Sequence, residues 1–245
     1  MPAIVELRLR AQGRNPPAQP TTRQLHGLAC TLFEGARTPD TQHAAAEKPF
    51  TIWPLRPAPD GWLLRAAWLP PGFPQTITAA TSEVRLGPVT CTVTDLALRT
   101  ATHEDLAEAD PAEGARLTFL SPAYFSQNGT TVTDPDPRLI AGSWRRRWNA
   151  SLPPGHDLQI NPTLWRDIHL SLHVTGQGLT LSPRDTGYHQ QKGMTGTLTL
   201  RLESATPHPA RQAFAALATF APYCGTGAQV THGFGATKTT LLRPS

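Results

Sequence analysis

The sequence predicts an α+β protein made of two successive units of the same kind. Strand-like alternation and helix-like spacing follow one another in the order strand, helix, strand, strand, helix, strand over about the first hundred residues. An acidic, polar stretch at residues 102–114 resembles a linker, and a similar pattern begins again after it. This order is typical of the ferredoxin-like (RRM-like) fold, a four-stranded antiparallel sheet with two helices. We therefore predict two tandem ferredoxin-like domains, at residues 1–110 and 111–245.

The first unit opens with the clearest pattern. Residues 4–10 alternate between apolar and polar side chains, which is the period of a half-buried strand. Thr21 and Thr22 are suited to cap a helix whose apolar positions, three and four residues apart, run to Phe33. The remaining predicted elements are strands at 49–55 and 61–69 joined by a Pro-Asp-Gly turn, a short helix near 76–82, and a strand or strand pair at 84–98.

The second unit repeats the mixture of strands and helices. Its strongest alternation lies at residues 193–202, and its longest apolar helical stretch lies at residues 210–220. The other predicted elements are strands at 117–120, 163–174 and 238–242 and a helix at 138–148.

Composition sets broad limits on function. The chain of 245 residues carries 22 Lys and Arg against 18 Asp and Glu, a formal charge of +4, which is only weak evidence for a polyanionic partner. Its three cysteines, Cys30, Cys91 and Cys224, are far apart and form neither a zinc motif nor a disulfide framework. No apolar segment is long enough to span a membrane, and the N-terminus lacks the pattern of a signal peptide. We expect a cytoplasmic protein with reduced thiols and no membrane partner.

A glycine-rich loop near the C-terminus is the most informative motif. Gly225, Gly227, Gly233 and Gly235 fall within eleven residues, between a predicted helix and a predicted strand. Such a loop is able to present backbone N–H groups to phosphate. Dinucleotide and nucleoside-triphosphate loops occur in the opposite order, strand first and helix second, so this loop fits neither. The alternative is a tight helix-to-strand connection that binds no ligand.

The stretch at residues 220–235 resembles the glycine-rich loop of the CRISPR repeat-RNA-processing endoribonucleases of the repeat-associated mysterious protein superfamily. Three other stretches agree with this family in the same order: His43 with the following Lys-Pro-Phe-Thr at 48–51, residues 119–125, and residues 191–198. The resemblance implies two ferredoxin-like domains and metal-independent cleavage of CRISPR repeat RNA to give guide RNAs. It implies attack by the 2′-hydroxyl, a 2′,3′-cyclic phosphate product, no cofactor and no metal. It leaves open whether other CRISPR-associated proteins or a second copy of the chain also bind.

The expected chemistry requires two proton transfers and a cation. Histidine suits the proton transfers because its unperturbed pKa lies near neutrality, and lysine suits the charge on the phosphorane. The resemblance places catalysis at His26 and His43. Our hypothesis is that His43 is the general base or acid and His26 its partner, with Lys48 stabilising the phosphorane. The alternatives stay open: a solvated loop histidine at His43, a hydrogen-bonded helix histidine at His26, and a charge before a strand at Lys48.

Predicted RNA contacts lie in three places. In the loop, the predicted contacts are the backbone N–H groups of the glycines together with His232 and Lys238. At a predicted hairpin tip they are Arg184 and Lys192. In the helix at 138–148 they are Arg145 and Arg146. Trp144 and Trp148 are four residues apart in that helix and are predicted to pack inward. The arginines then project to solvent, where they contact RNA or nothing.

Two other functions remain open at this point. A related protein without catalysis would use the same two domains to bind RNA as a scaffold subunit of a CRISPR interference complex. A ferredoxin-like protein that binds a small molecule or a metal would have no role with nucleic acid. The two N-terminal histidines favour the endoribonuclease.

Overall fold

The first half of the chain forms one antiparallel sheet. The computed structural model describes residues 2–12, 20–34, 48–70, 77 and 83–243. The strands are β1 (Ala3–Ala11), β2 (Phe50–Ile52), β3 (Arg56–Ala58), β4 (Gly61–Trp68), β5 (Glu83–Leu86) and β6 (Val89–Thr100), and the helix between β1 and β2 is α1 (Thr22–Glu34). Thr21 precedes α1 and exchanges hydrogen bonds with Gln24, whose side-chain oxygen accepts from the Thr21 amide at 3.0 Å, as in a capping box.

The second half forms another antiparallel sheet and most of the helices that the structure describes. Its elements are α2 (His103–Ala107), β7 (Gly114–Ala123), β8 (Phe125–Gln127), β9 (Thr130–Val132), α3 (Pro137–Ala150), α4 (Pro162–Ser171), β10 (Leu172–Asp185), β11 (Gln190–Leu202), α5 (His208–Cys224), the 3-10 turn Val230–His232, and β12 (Thr237–Leu242). Strands β8 and β9 form a separate hairpin.

The two sheets share one topology, as the tandem prediction requires. The first has the order β2-β4-β1-β6-β5, with β3 also paired to β4, and the second has the order β10-β11-β7-β12. With β3 and β5 set aside, each sheet places its second, third, first and fourth strands side by side, which is the ferredoxin-like arrangement. The first sheet is thus larger than the predicted four strands.

Each sheet covers its own apolar core. One core lies between the first sheet and α1 and includes Leu25, Leu28 and Phe50. The other lies between the second sheet and its helices, where Trp144 and Trp148 are fully buried, as predicted from their spacing. Leu106 of α2 belongs to this second core, so α2 packs with the second half although it precedes the predicted boundary at residue 110, which stays a prediction.

Two predicted elements were wrong. Residues 163–174 were predicted as a strand, but α4 occupies residues 162–171 and β10 begins only at Leu172. Asn161 caps this helix by accepting from the Leu164 amide at 2.9 Å, and Pro162 stands at a position where proline favours helix initiation. The predicted linker at 102–114 contains α2, which begins with a capping box at Thr102. The predicted helix near 76–82 lies, except for Ile77, outside the described residues.

In the described part of the chain, no helix is both long and apolar enough to cross a bilayer.

Candidate active site

The loop that follows α5 reaches across to the first half of the molecule. The Thr51 hydroxyl of β2 donates to the Tyr223 carbonyl oxygen at 2.7 Å, which ties the first sheet to the end of α5. The loop then folds as the 3-10 turn Val230–His232 and enters β12. Because the turn packs against both α1 and β2, it brings its side chains to residues some two hundred positions earlier in the chain.

Glycine is required in this loop for steric reasons. Gly227 has φ 85° and Gly235 has φ 62°, in the left-handed region that L side chains rarely adopt. A Cβ atom on Gly227 would collide with the Tyr124 carbonyl oxygen, and one on Gly235 would collide with the Thr226 carbonyl oxygen. The loop therefore packs backbone against backbone at these two positions.

The N–H groups of the four loop glycines bond within the protein. Those of Gly225 and Gly235 donate at 2.9 Å to the carbonyl oxygens of Ala221 and Pro122, respectively. The N–H of Gly233 donates to the Val230 carbonyl oxygen at 3.3 Å, and that of Gly227 donates to the Ser143 hydroxyl at 3.3 Å. These donors hold the loop in shape, so the predicted presentation of glycine N–H groups to RNA phosphate lacks support in the structure.

A basic cavity of about 300 Å³ lies beside the 3-10 turn. We call it the histidine cavity. It is lined by Lys48, Arg146, Arg147, Ala228, Gln229, Val230, Thr231 and His232. Three cations and one imidazole thus meet at one space, and none of these lining residues is acidic. Such a site suits a phosphate group and its negative charge.

His26 and His232 form a stacked pair at this site. Their ring centroids are 3.9 Å apart and their planes differ by 6°. His26 projects from α1, and its Nδ1 lies 3.0 Å from the Thr231 carbonyl oxygen. A carbonyl oxygen only accepts, so Nδ1 of His26 carries the proton and donates it. The other ring nitrogen of His26 lies 3.5 Å from the Cys30 sulfur.

His232 has a strongly lowered basicity. Burial is the main cause and the neighbouring His26 a second one, and together they lower the pKa of His232 to about 4. Its Nδ1 lies 3.1 Å from the Thr231 hydroxyl. The imidazole is therefore neutral near pH 7.

A second basic cavity, which we call the arginine cavity, adjoins the first. Its volume is about 640 Å³ and its lining includes Arg138, Arg145, Arg146, Gln127 and Asn149. Arg146 and Ala228 line both cavities, so the two spaces share a wall. The sequence analysis did not predict Arg138 as an RNA contact. Its spacing of eight residues from Arg146, which places both on one face of α3, could have indicated it.

The arginines of α3 differ in their surroundings. Arg146 is exposed, as predicted. Arg145 is partly buried, donates from Nε to the Ile160 carbonyl oxygen at 3.0 Å, and lies over the Trp165 ring, so it projects to solvent only in part. Arg147, the third arginine predicted to project to solvent and contact RNA or nothing, is partly buried, lines the histidine cavity and donates to the Gly227 carbonyl oxygen at 2.6 Å.

The other predicted site residues lie elsewhere. Arg184 lines neither cavity, and its guanidinium carbon lies 5.8 Å from the centre of the Phe234 ring. Its Nε is buried and, within the described ranges, has no hydrogen-bond partner; this burial lowers the pKa of Arg184. Lys192 and Lys238 are exposed on strands and line neither cavity. His43 lies outside the described residues.

Comparison with known proteins agrees with this architecture. Residues 117–237 match the sequence model of the CRISPR-associated endoribonuclease Cas6. The solved structure of the Cas6 protein TTHB231 in a product complex is 31% identical, with a TM-score of 0.82 over 98% of this chain and 99% of that one. A product complex of a second Cas6, TTHA0078, has a TM-score of 0.81 at 22% identity, over 98% of this chain and all of that one, and supports the fold.

A curated relative gives a partial match. Cas6 from Mycobacterium tuberculosis is 28% identical over 129 residues, which is 53% of this chain. The match spans only 40% of the length of that relative. Since TTHB231 matches over essentially both full lengths above 30% identity, the chain belongs to the Cas6 family of CRISPR-associated endoribonucleases.

Proposed function

We propose that this protein is an endoribonuclease that cleaves CRISPR repeat RNA in precursor transcripts to give mature guide RNAs. The observation that carries this proposal is the histidine cavity, where Lys48, Arg146 and Arg147 meet the imidazole of His232 in a chain of the Cas6 family. A site with several cations and a neutral imidazole fits a reaction at a phosphodiester. The product complexes of TTHB231 and TTHA0078 make an RNA ligand a reasonable expectation for this chain.

The proposed chemistry is general acid–base catalysis without a metal. The ribose 2′-hydroxyl attacks the adjacent phosphate, and the products are a 2′,3′-cyclic phosphate and a 5′-hydroxyl. His43 acts as general base or acid, and the stacked His26–His232 pair supplies its partner. Lys48, which lines the histidine cavity, stabilises the negative charge of the phosphorane, and positioned charges of this kind act strongly when water is excluded.

RNA binding is proposed to extend over the arginine cavity. Arg138, Arg145 and Arg146 line it, and Arg146 connects it to the histidine cavity. An RNA strand whose scissile phosphate lies in the histidine cavity would pass Arg146 and continue along α3. We retain Arg184, Lys192 and Lys238 as predicted contacts outside these two cavities.

The decisive experiment is cleavage of the repeat RNA from the CRISPR array of the source organism, in the presence of EDTA. We expect one cut per repeat and a product that carries a 2′,3′-cyclic phosphate. The same RNA with a single 2′-deoxy nucleotide on the 5′ side of the cut should bind and remain whole, because the nucleophile is missing. His43→Ala and His26→Ala should both cleave more slowly, and His208→Ala, at an exposed position at the start of α5, is the matched control.

Three outcomes would contradict the proposal. Tight binding of the repeat without cleavage would favour the scaffold function. Cleavage of the 2′-deoxy RNA, or loss of cleavage with EDTA alone, would overturn the chemistry. Full activity in both His43→Ala and His26→Ala would remove these two residues from the site.

A further inference from the structure

We propose that His232 is a catalytic residue that accepts the proton of the 2′-hydroxyl, and that His26 is a positioning residue that acts through it. This inference rests on the proposed function and reassigns one proton transfer within it. His232 lines the histidine cavity together with Lys48, Arg146 and Arg147, whereas His26 does not. Of the two stacked histidines, His232 is therefore the one that lines the cavity suited to a phosphate.

The ring nitrogens of the two histidines face different surroundings. Both nitrogens of His26 point at protein groups, Nδ1 at the Thr231 carbonyl oxygen and Nε2 at the Cys30 sulfur. His232 has only its Nδ1 paired, with the Thr231 hydroxyl. Over the part of the chain that the structure describes, Nε2 of His232 has no hydrogen-bond partner, so it is the nitrogen left to exchange a proton with a ligand.

His26 is built to hold the His232 ring. It covers one face of the ring at 3.9 Å, and its Nδ1–H bond to the Thr231 carbonyl fixes the residue that precedes His232. On the other side, Gly233 ends the 3-10 turn with a left-handed backbone, φ 85°. The imidazole is therefore fixed by its stack and by the backbone on both sides, as a catalytic base requires.

The charges around His232 favour a base over an acid. Lys48, Arg146 and Arg147 line the same cavity as His232, and His26 stacks on its ring. Because burial and His26 lower the pKa of this imidazole, it stands neutral with a lone pair in the free protein. A phosphate bound in the cavity brings a negative charge near the ring and raises the pKa of His232, so that the ring becomes a better proton acceptor when substrate is present.

Two proton transfers complete the reaction. Nε2 of His232 takes the 2′-hydroxyl proton while the 2′-oxygen forms a bond to phosphorus. The bond from phosphorus to the 5′-oxygen then breaks, and the leaving oxygen takes a proton from a general acid. His232 ends protonated and that acid ends deprotonated, and exchange with water restores both.

The test compares two substitutions at one position. His232→Phe keeps a flat ring for the stack on His26, and His232→Ala removes it. We expect both to lower the single-turnover cleavage rate at saturating repeat RNA by on the order of 10²- to 10⁴-fold. The Kd of each variant for the uncleavable 2′-deoxy repeat should stay within about threefold of the wild type, since an imidazole that is neutral carries no charge to the phosphate. His208→Ala serves as control, and thermal melting checks that each variant folds.

Each alternative gives a different pattern. A His232→Phe variant that cleaves at the wild-type rate, beside a slow His232→Ala, would show that the ring only packs against His26 and would overturn the inference alone. Weaker binding with an unchanged rate at saturation would make His232 an RNA contact and would also overturn it. Wild-type protein that binds the repeat without cutting it would overturn the proposed function and this inference together.

Discussion

Two histidines of this protein have the same lowered pKa in different surroundings, because His103 is buried whereas His232 is half-buried. Burial is the main cause that lowers the pKa of both His103, in α2, and His232, in the glycine loop, to about 4. His103 is 3% exposed, its Nε2 lies 2.8 Å from the Ser151 hydroxyl, and its ring meets Trp148 edge to face at 4.9 Å. His232 stacks on His26 and lines a cavity with three cations.

The difference shows that a lowered pKa reports burial and does not by itself report function. At His103 the neighbours are an aromatic ring and a hydroxyl, so the imidazole completes the packing of the second core. His232 shares the lining of its cavity with three cations that suit a phosphate, which is why we propose a catalytic role for this neutral ring and none for His103. The groups that surround each imidazole, rather than its pKa, therefore decide which of the two histidines we propose as functional.

The largest expected effect comes from moving the loop that carries His232. Gly235→Ala places a methyl group against the Thr226 carbonyl oxygen at φ 62°, so the loop must shift. Because displacements of about 1 Å in an active site cost on the order of 10²-fold in rate, we expect single-turnover cleavage to fall by at least that factor. The packing of His103 should be unchanged, as judged by the ring-proton signals of His103 in nuclear magnetic resonance spectra.

Gly27→Ala is the matched control for this change. Gly27 lies in α1, where an added Cβ meets nothing within 4 Å, and alanine favours a helix over glycine by up to about 1 kcal/mol. Cleavage by Gly27→Ala should match the wild type. A Gly235→Ala variant that also cleaves normally would mean that the position of the loop does not control the reaction.

An intermediate effect is expected from His103, and it concerns stability. The folded pKa of about 4 lies below the unfolded value near 6.5, so between these pH values the unfolded chain binds more protons. The stabilising contribution is present in full above about pH 6.5 and is lost as the pH falls towards 4. In His103→Phe, the slope of the unfolding free energy against pH in this window should decrease by up to about 1.4 kcal/mol per pH unit, and cleavage at neutral pH should stay within about twofold.

Urea unfolding at several pH values, followed by tryptophan fluorescence, measures this slope. Since His232 titrates in the same direction, part of the acid sensitivity should remain in the variant. An unchanged slope would show that His103 is not buried as a neutral group. A loss of cleavage in a stable His103→Phe protein would remove the distinction between the two histidines.

The sequence predicted the fold better than the site, and particular residues show why. Period-two alternation at residues 4–10 and 193–202 depends only on which face of a strand is buried, so both strands were identified. The segment 163–174 was assigned wrongly because its apolar positions Leu164, Trp165 and Ile168 also suit a short helix, and the decisive signal was the cap at Asn161. Local patterns carry this information because they record burial and capping.

The site depends on contacts that no local pattern contains. His26 and Thr231 are 205 residues apart and meet only because the loop after α5 crosses to α1. The stack of His232 on His26 was invisible for the same reason. The sequence showed correctly that the glycines are needed for the conformation of the loop. It did not show those hydrogen-bond partners of their N–H groups that lie far away in the chain, such as the Pro122 carbonyl oxygen for Gly235.

The smallest expected effect separates binding from catalysis along α3. Arg138 lines the arginine cavity and not the histidine cavity, so a phosphate bound there lies away from His232. Removing one cation that pairs with a phosphate of single-stranded RNA lowers the slope of log K against log salt by roughly 0.7. Arg138→Ala should therefore weaken binding of the 2′-deoxy repeat a fewfold, with that change in slope, and leave the cleavage rate at saturation unchanged.

Arg166 provides the matched control, because its Nη2 lies 3.3 Å from Asp167 on α4 and it lines neither cavity. Arg166→Ala should change neither the affinity nor the salt slope. If Arg138→Ala instead lowered the rate at saturating RNA, the arginine cavity would hold the reacting nucleotide. The cations around His232 would then serve a flanking part of the RNA, and the two cavities would exchange roles.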